Sequence, residues 1–185
     1  MPDLSALKVH ARPRAPKIPG ATDAQREQGR SLAMIHAMHL SDMAMIRQMV
    51  ERIEHDRSAA KDLAEAVPEL AMTRNLRNFG ALCGRECNNL LFHHGAEEHH
   101  MFPALEELGD TGLRAVIAKL REEHEVIHAL LEDLGTGAMA VMQSPDPSTY
   151  AALRDTFEML DAAIRSHFGY EETELQEALG VFQVL

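Results

Sequence analysis

The sequence predicts an all-α chain folded as an up-down-up-down four-helix bundle. Three observations carry that prediction: prolines and glycines gather at a few joints, the stretches between them hold apolar seams at helical spacing, and strand signals are nearly absent. β-branched runs are short, aromatics make up 4% of the residues, and no Asn-Gly or Asp-Gly turn separates alternating segments. With 185 residues, 45% of them apolar, the chain is long enough for one well-buried domain and short for two.

Residues 1–22 carry Pro2, Pro13, Pro16 and Pro19 among Lys8, Arg12, Arg14 and Lys17, without periodicity, and are expected to form an extended N-terminal arm ahead of a bundle over 23–185. Breaks between helices are expected near Pro68, at Gly109-Asp110-Thr111-Gly112, and across Gly135 to Pro147. The first stretch has the seam Leu32, His36, His39, Met43, Ile46, Val50, Ile53, with Met34, Met38, Met45 and Met49 beside it as filling for an irregular core. In the second, two phases compete: Leu76, Phe79, Cys83, Leu90, His93, Glu97 on one, and Cys87, Leu91, His94, Glu98, Met101 on the next. The third runs Leu113, Ile117, Leu120, His124, Ile127, Leu131, Leu134, with His128 one turn beyond His124. The fourth runs Leu153, Phe157, Leu160, Ile164, His167, Glu171. Imidazoles and a carboxylate thus replace apolar side chains on lines meant for the core.

The second and fourth stretches repeat one another: His93-His94-Gly95-Ala96-Glu97-Glu98 aligns with His167-Phe168-Gly169-Tyr170-Glu171-Glu172. The repeat favours the His93 phase and leaves His94, Glu98, His99 and His100 to a solvated face or to places behind the inward line. In an up-down-up-down bundle, His36, His93, His124 and His167 each lie roughly 10–13 residues from one shared end, or about 15–20 Å, so they arrive at one height. A His-x-x-x-Glu spacing rises about 6 Å and turns about 40°, so both side chains can reach one ion or two adjacent ones. Buried without a cation, Glu97 and Glu171 would each cost several kcal/mol or take up a proton.

Mixed imidazole and carboxylate donors suit iron, manganese or zinc, and their number exceeds what one four-coordinate zinc takes. Cys83 and Cys87 are read as reduced, buried small hydrophobes, Tyr170 as a half-buried tyrosine or a hydrogen-bond donor to the site, and His10 and His55 as incidental. With 18 basic against 29 acidic residues, net charge −11, the chain has no positive field for nucleic acid or a membrane surface. The start Met1-Pro2-Asp3 lacks a signal-like apolar segment, and no run of about 18 apolar residues occurs, so a cytoplasmic protein is expected.

Over residues 28–180 the chain resembles the haemerythrin-like, or HHE cation-binding, family. The resemblance is carried by Ile35-His36, by His93-His94-Gly95-Ala96-Glu97-Glu98 with Met101-Phe102-Pro103, by Glu123-His124 with Ile127-His128, and by His167-Phe168-Gly169-Tyr170-Glu171-Glu172. It implies two non-haem iron ions, Fe2+ or Fe3+, joined by an oxo or hydroxo bridge. As ligands it implies His36, His93, Glu97, His124, His167 and Glu171. His128 resembles the second histidine of the His-x-x-x-His of oxygen carriers, and His39 is a weaker candidate. Those carriers place a carboxylate five residues after the last histidine, where this chain has Glu172; the seam selects Glu171. The family further implies a small-molecule ligand, namely oxygen, peroxide or nitric oxide. An oxidoreductase such as a peroxide-decomposing enzyme, or an iron- or oxygen-sensing interaction module, are the alternatives. The oligomeric state has no signature.

Overall fold

Each helix begins or ends where a local device tells it to. Thr22 caps the first helix, α1 (Asp23–Gln28): its hydroxyl accepts from the Gln25 N–H while the Gln25 side chain accepts from the Thr22 N–H. Gly29 ends it, and α2 (Ser31–Asp62) begins two residues later. Asp110 caps α4 (Thr111–Gln143) through the Leu113 N–H, and Asp146 caps α5 (Pro147–Phe182) through the N–H groups of Ser148 and Thr149, with Pro147 in the first turn where no N–H is needed. Between α2 and α4 lies α3, helical through 89–96, widened into a π-helical turn at Glu97–Met101, and α-helical again over Phe102–Leu108.

This computed structural model describes residues 7, 12–62, 89–144 and 146–184, and among them there is no strand. α2, α3, α4 and α5 form the four-helix bundle, with α1 laid across α5. Expectations placed on His10, Pro68, Leu76, Phe79, Cys83 and Cys87, and on the side chains of Met49, Ile53 and His55, fall outside the described residues.

Two expectations are corrected. The joint at Gly135 to Pro147 is shorter than expected: α4 runs through Gly135 and Gly137 to Gln143. Gly137 lies against Leu153 of α5, where a Cβ would come within 3.3 Å of its Cδ1, so the small residue serves helix approach rather than a break. The methionines of α2 do not fill the core, because Met34, Met38 and Met45 are exposed and only Met43 among the described four is buried. Their positions fall off the seam, and periodicity outweighs composition.

Among the described residues the seams are buried. They form two apolar plugs with a polar layer between them. One contains Met43, Ile46, Val50, Ile127, Phe157, Leu160 and Ile164; the other contains Leu32, Phe102, Leu105, Ile117, Leu120 and Leu175. At about 1.5–3 kcal/mol for each large apolar side chain, these plugs offset the cost of the buried polar layer.

The close crossing of α1 and α5 depends on two glycines. A Cβ on Gly29 would sit 1.8 Å from the Gln176 carbonyl oxygen, and one on Gly180 would sit 1.7 Å from that of Gln25. Ahead of α1, residues 12–22 are irregular and bound along α5: the Ala15 N–H donates to Glu174 and the Tyr170 hydroxyl donates to the Pro13 carbonyl.

Candidate metal centre

The polar layer is built from all four bundle helices. α2 supplies His36, α3 supplies His93, His94 and Glu97, α4 supplies His124, and α5 supplies His167 and Glu171, all of them buried. Both adjacent histidines of α3 are buried on its α-helical part, and a π-helical turn follows them at Glu97–Met101. The Phe102 N–H bonds to the Glu97 carbonyl, five residues back, and Pro103 follows, which has no N–H to offer and whose ring crowds the preceding turn. The extra residue moves the inward line from Leu90, His93 and Glu97 to Met101, Phe102 and Leu105.

Donor atoms fall into two groups, within each of which they lie inside 4.8 Å of one another: His36, His93, Glu97 and Glu171, and His94, His124 and His167. The carboxylates join the groups. Glu97 places Oε1 3.1 Å from His93 Nε2 and Oε2 3.4 Å from His124 Nε2. Glu171 places Oε2 3.4 Å from His36 Nε2 and 3.7 Å from His167 Nε2.

Behind the rings, further carboxylates set the tautomers. His36 Nδ1 is 2.8 Å from Glu172, His124 Nδ1 is 2.8 Å from Glu98, and His167 Nδ1 is 3.2 Å from Glu123. Each Nδ1 therefore carries the proton and donates, which leaves each Nε2 as a bare lone pair facing inward. His124 Nε2 and His167 Nε2 nevertheless lie 3.1 Å apart. Two lone pairs at that distance repel unless a proton or a cation serves them both.

A proton is a poor answer. Burial pushes the His124 imidazole down to about 3 and His167 to about 4, and it pushes His93 to about 2. Burial first, and then the neighbouring imidazoles, hold His94 well below its usual value too. Glu97 moves the other way: burial, and then Glu171 beside it, raise its carboxyl well above the usual carboxylate range. All four carboxylate oxygens of Glu97 and Glu171, and His94 Nε2, lack a hydrogen-bond partner. Neutral imidazoles with inward lone pairs and orphaned buried carboxylates are a donor set suited to a cation.

The remaining predicted residues occupy the surroundings. His128 is part-buried and outside both groups, its Nε2 3.0 Å from His94 Nδ1. His39 is buried and also outside them, its ring 5.0 Å from that of His93. Glu172 lies behind His36, about a third exposed, while Glu171 is fully buried. His94 is a correction: expected on the solvated face or behind the inward line, it is fully buried and stacked on His124 at 4.0 Å. His99 and His100 are exposed as expected. Tyr170 is turned away, its hydroxyl engaged by Pro13 and pushed up by burial.

Glu98 stands behind the inward line, one of the two places expected for it, whereas sequence reasoning missed Glu123 as a support, together with the arginines behind both. Arg121 donates to Glu98 at 2.8 Å, and Arg12 grips Glu123 with two bonds, at 2.7 and 2.9 Å. On the His36 side, Phe168 stacks on the ring at 3.8 Å and 3°. A cavity of about 410 Å³ opens beside His93 and His39, between α2 and α3, with Ile35, Met38 and Phe92 among its walls.

Among the described residues no helix is long and apolar enough to cross a membrane. No curated protein sequence and no solved structure matches the chain. The family model for the hemerythrin HHE cation binding domain matches residues 29–179, a span that contains every member of both donor groups. The chain belongs to the hemerythrin HHE cation-binding family, and its buried histidines and glutamates form a site fit for metal.

Proposed function

We propose that the chain is a non-haem di-iron protein that binds oxygen, or a related small oxidant such as peroxide or nitric oxide, between helices α2 to α5. The observation that carries this reading is the pair of orphaned carboxylates, each spanning both imidazole groups: Glu97 between His93 and His124, Glu171 between His36 and His167. His36 and His93 would hold one ion, His94, His124 and His167 the other, and Glu97 and Glu171 would be shared. His39 and His128 stand behind this set rather than in it. Iron supplies reversible exchange between two oxidation states and an open coordination position for a small ligand.

The protein's own part is positional. Carboxylates on Nδ1 aim the rings of His36, His124 and His167, and burial keeps the imidazoles of His93, His94, His124 and His167 neutral, the protonation state in which they donate to a metal. The half with two imidazoles lies beside the cavity lined by His39 and His93, which supports entry of a small ligand on that side. The half with three imidazoles is covered by Phe102, whose ring lies 5.6 Å from His124. Binding is favoured over peroxide turnover because the Tyr170 hydroxyl, a candidate to move protons, is committed to the Pro13 carbonyl.

The test is to reduce the iron-loaded protein without air, admit oxygen, and then remove it. A charge-transfer absorption that appears and fades reversibly supports the reading. Steady consumption of hydrogen peroxide above that of free iron, without reversible binding, would favour the oxidoreductase instead.

A further inference from the structure

We infer that the N-terminal arm is part of the metal centre, with Arg12 acting as a positioning residue that holds His167 through Glu123. This rests on the metal reading above, and Arg12 lies outside the span, residues 29–179, that the family model matches.

Three contacts carry it. The Arg12 guanidinium is nearly buried at 6% exposure and Glu123 is fully buried, so this is an interior ion pair. The fork is bidentate, Nε to Oε1 at 2.7 Å and Nη2 to Oε2 at 2.9 Å, which fixes the plane of the carboxylate as well as its charge. Oε2 of the same carboxylate lies 3.2 Å from His167 Nδ1. The third arm of the guanidinium donates to the Ser166 carbonyl at 3.1 Å, so Arg12 ties Glu123 of α4 to the backbone beside His167 on α5. Tyr170 forms the floor, its ring centroid 4.7 Å from the guanidinium carbon.

His124 is held in the same manner by Glu98 and Arg121, but both of those belong to the bundle, and Arg121 is 34% exposed. His167 receives its support from a segment ahead of α1. The arm is therefore a clasp: when it is seated, the His167 ring has one tautomer and one orientation; when it lifts, a buried carboxylate loses its counter-charge and the ring loses its guide.

The experiment compares full-length Arg12→Gln, Glu123→Gln, the double variant and Tyr170→Phe. The double variant removes both charges and guards against a single variant that does not fold; Tyr170→Phe removes one hydrogen bond to Pro13 but keeps the ring beneath Arg12, so Arg12 stays seated on Glu123. In the metal-free protein, ring ¹H–¹⁵N spectra follow the His167 Nδ1–H. It should exchange with solvent at least about 10-fold faster in Arg12→Gln and stay slow in Tyr170→Phe. In the iron-loaded protein, release to a chelator should quicken about 10–100-fold in Arg12→Gln and in Glu123→Gln, with the double variant no worse than the more damaged single. Wild-type exchange and release in Arg12→Gln, or equal effects from Tyr170→Phe, would overturn the inference. If the wild-type chain takes up no metal, the functional reading fails, while the ring spectra still decide whether Arg12 positions His167.

Discussion

The two halves of the centre differ in how firmly they are built. His124 and His167 are each backed by a carboxylate that an arginine holds, and His94 is packed flat on His124. His36 is backed by Glu172, which pairs with no arginine among the described residues and is a third exposed, and His93 borders a cavity of about 410 Å³. One half is a rigid tripod and the other a looser pair with space beside it. Under the proposed function the difference amounts to a division of labour: the tripod would retain metal, and the pair would leave room for a ligand. Ring orientation is expensive to maintain, so it is spent where nothing has to move.

The largest way to break that comparison is to remove what the halves share. Glu97→Ala should lose metal from both, with affinity reduced more than the about 10–100-fold typical of a residue behind a ligand. Metal analysis after dialysis checks it, and one half staying loaded would show that Glu97 serves only the other.

Next comes the tripod alone. His94→Ala should lower metal content and alter the absorption spectrum, whereas His128→Ala should keep the metal and shift the spectrum only slightly. The reverse order would return His128 to the ligand set and place His94 behind it.

Acidity should act on the metal-free protein through both halves. The imidazoles of His93, His124 and His167 are held at about 2, 3 and 4, against 6.5 unperturbed. Below 6.5 the unfolded chain takes up protons that the folded one refuses, so stability falls as pH drops from about 6.5 toward 4. Glu97 opposes this from the other side: its raised carboxyl keeps a proton in the fold that the unfolded chain releases above 4.5, so it lowers stability as pH rises through its folded value. Thermal melts of the metal-free protein across pH 4–8 should therefore show a loss of stability toward acid that Glu97 works against. Bound metal should change that profile, since Glu97 no longer needs a proton; identical profiles with and without metal would contradict the coupling.

How much of this was legible in the sequence follows from the range of each interaction. The seams of α4 and α5 were readable because burial repeats within one helix, and the shared height of His36, His93, His124 and His167 followed from helix rise. The place of His94 was hidden because a seam keeps one residue per turn, whereas here two adjacent histidines share the buried side of α3. Helix α1 was passed over although the Thr22 and Gln25 capping pair and Gly29 mark it. Glu123 and Arg12 had no local signature, because their meaning lies in a contact between residues 111 positions apart.

The smallest effects sharpen the comparison without touching the donors. Ala96→Phe, at the wall of the cavity beside His93, should slow binding of azide to the loaded protein several-fold and leave metal content alone. An unchanged rate would move the entry route elsewhere. Gly180→Ala should displace α1 from α5 and lower the melting temperature by a few degrees, with both halves still loaded.

The most direct measurement is metal analysis of the protein purified without added metal or an affinity tag, expressed as atoms per chain. Iron at close to two per chain is the expected result. A single zinc or manganese per chain, or no metal even after reconstitution with iron, would contradict it.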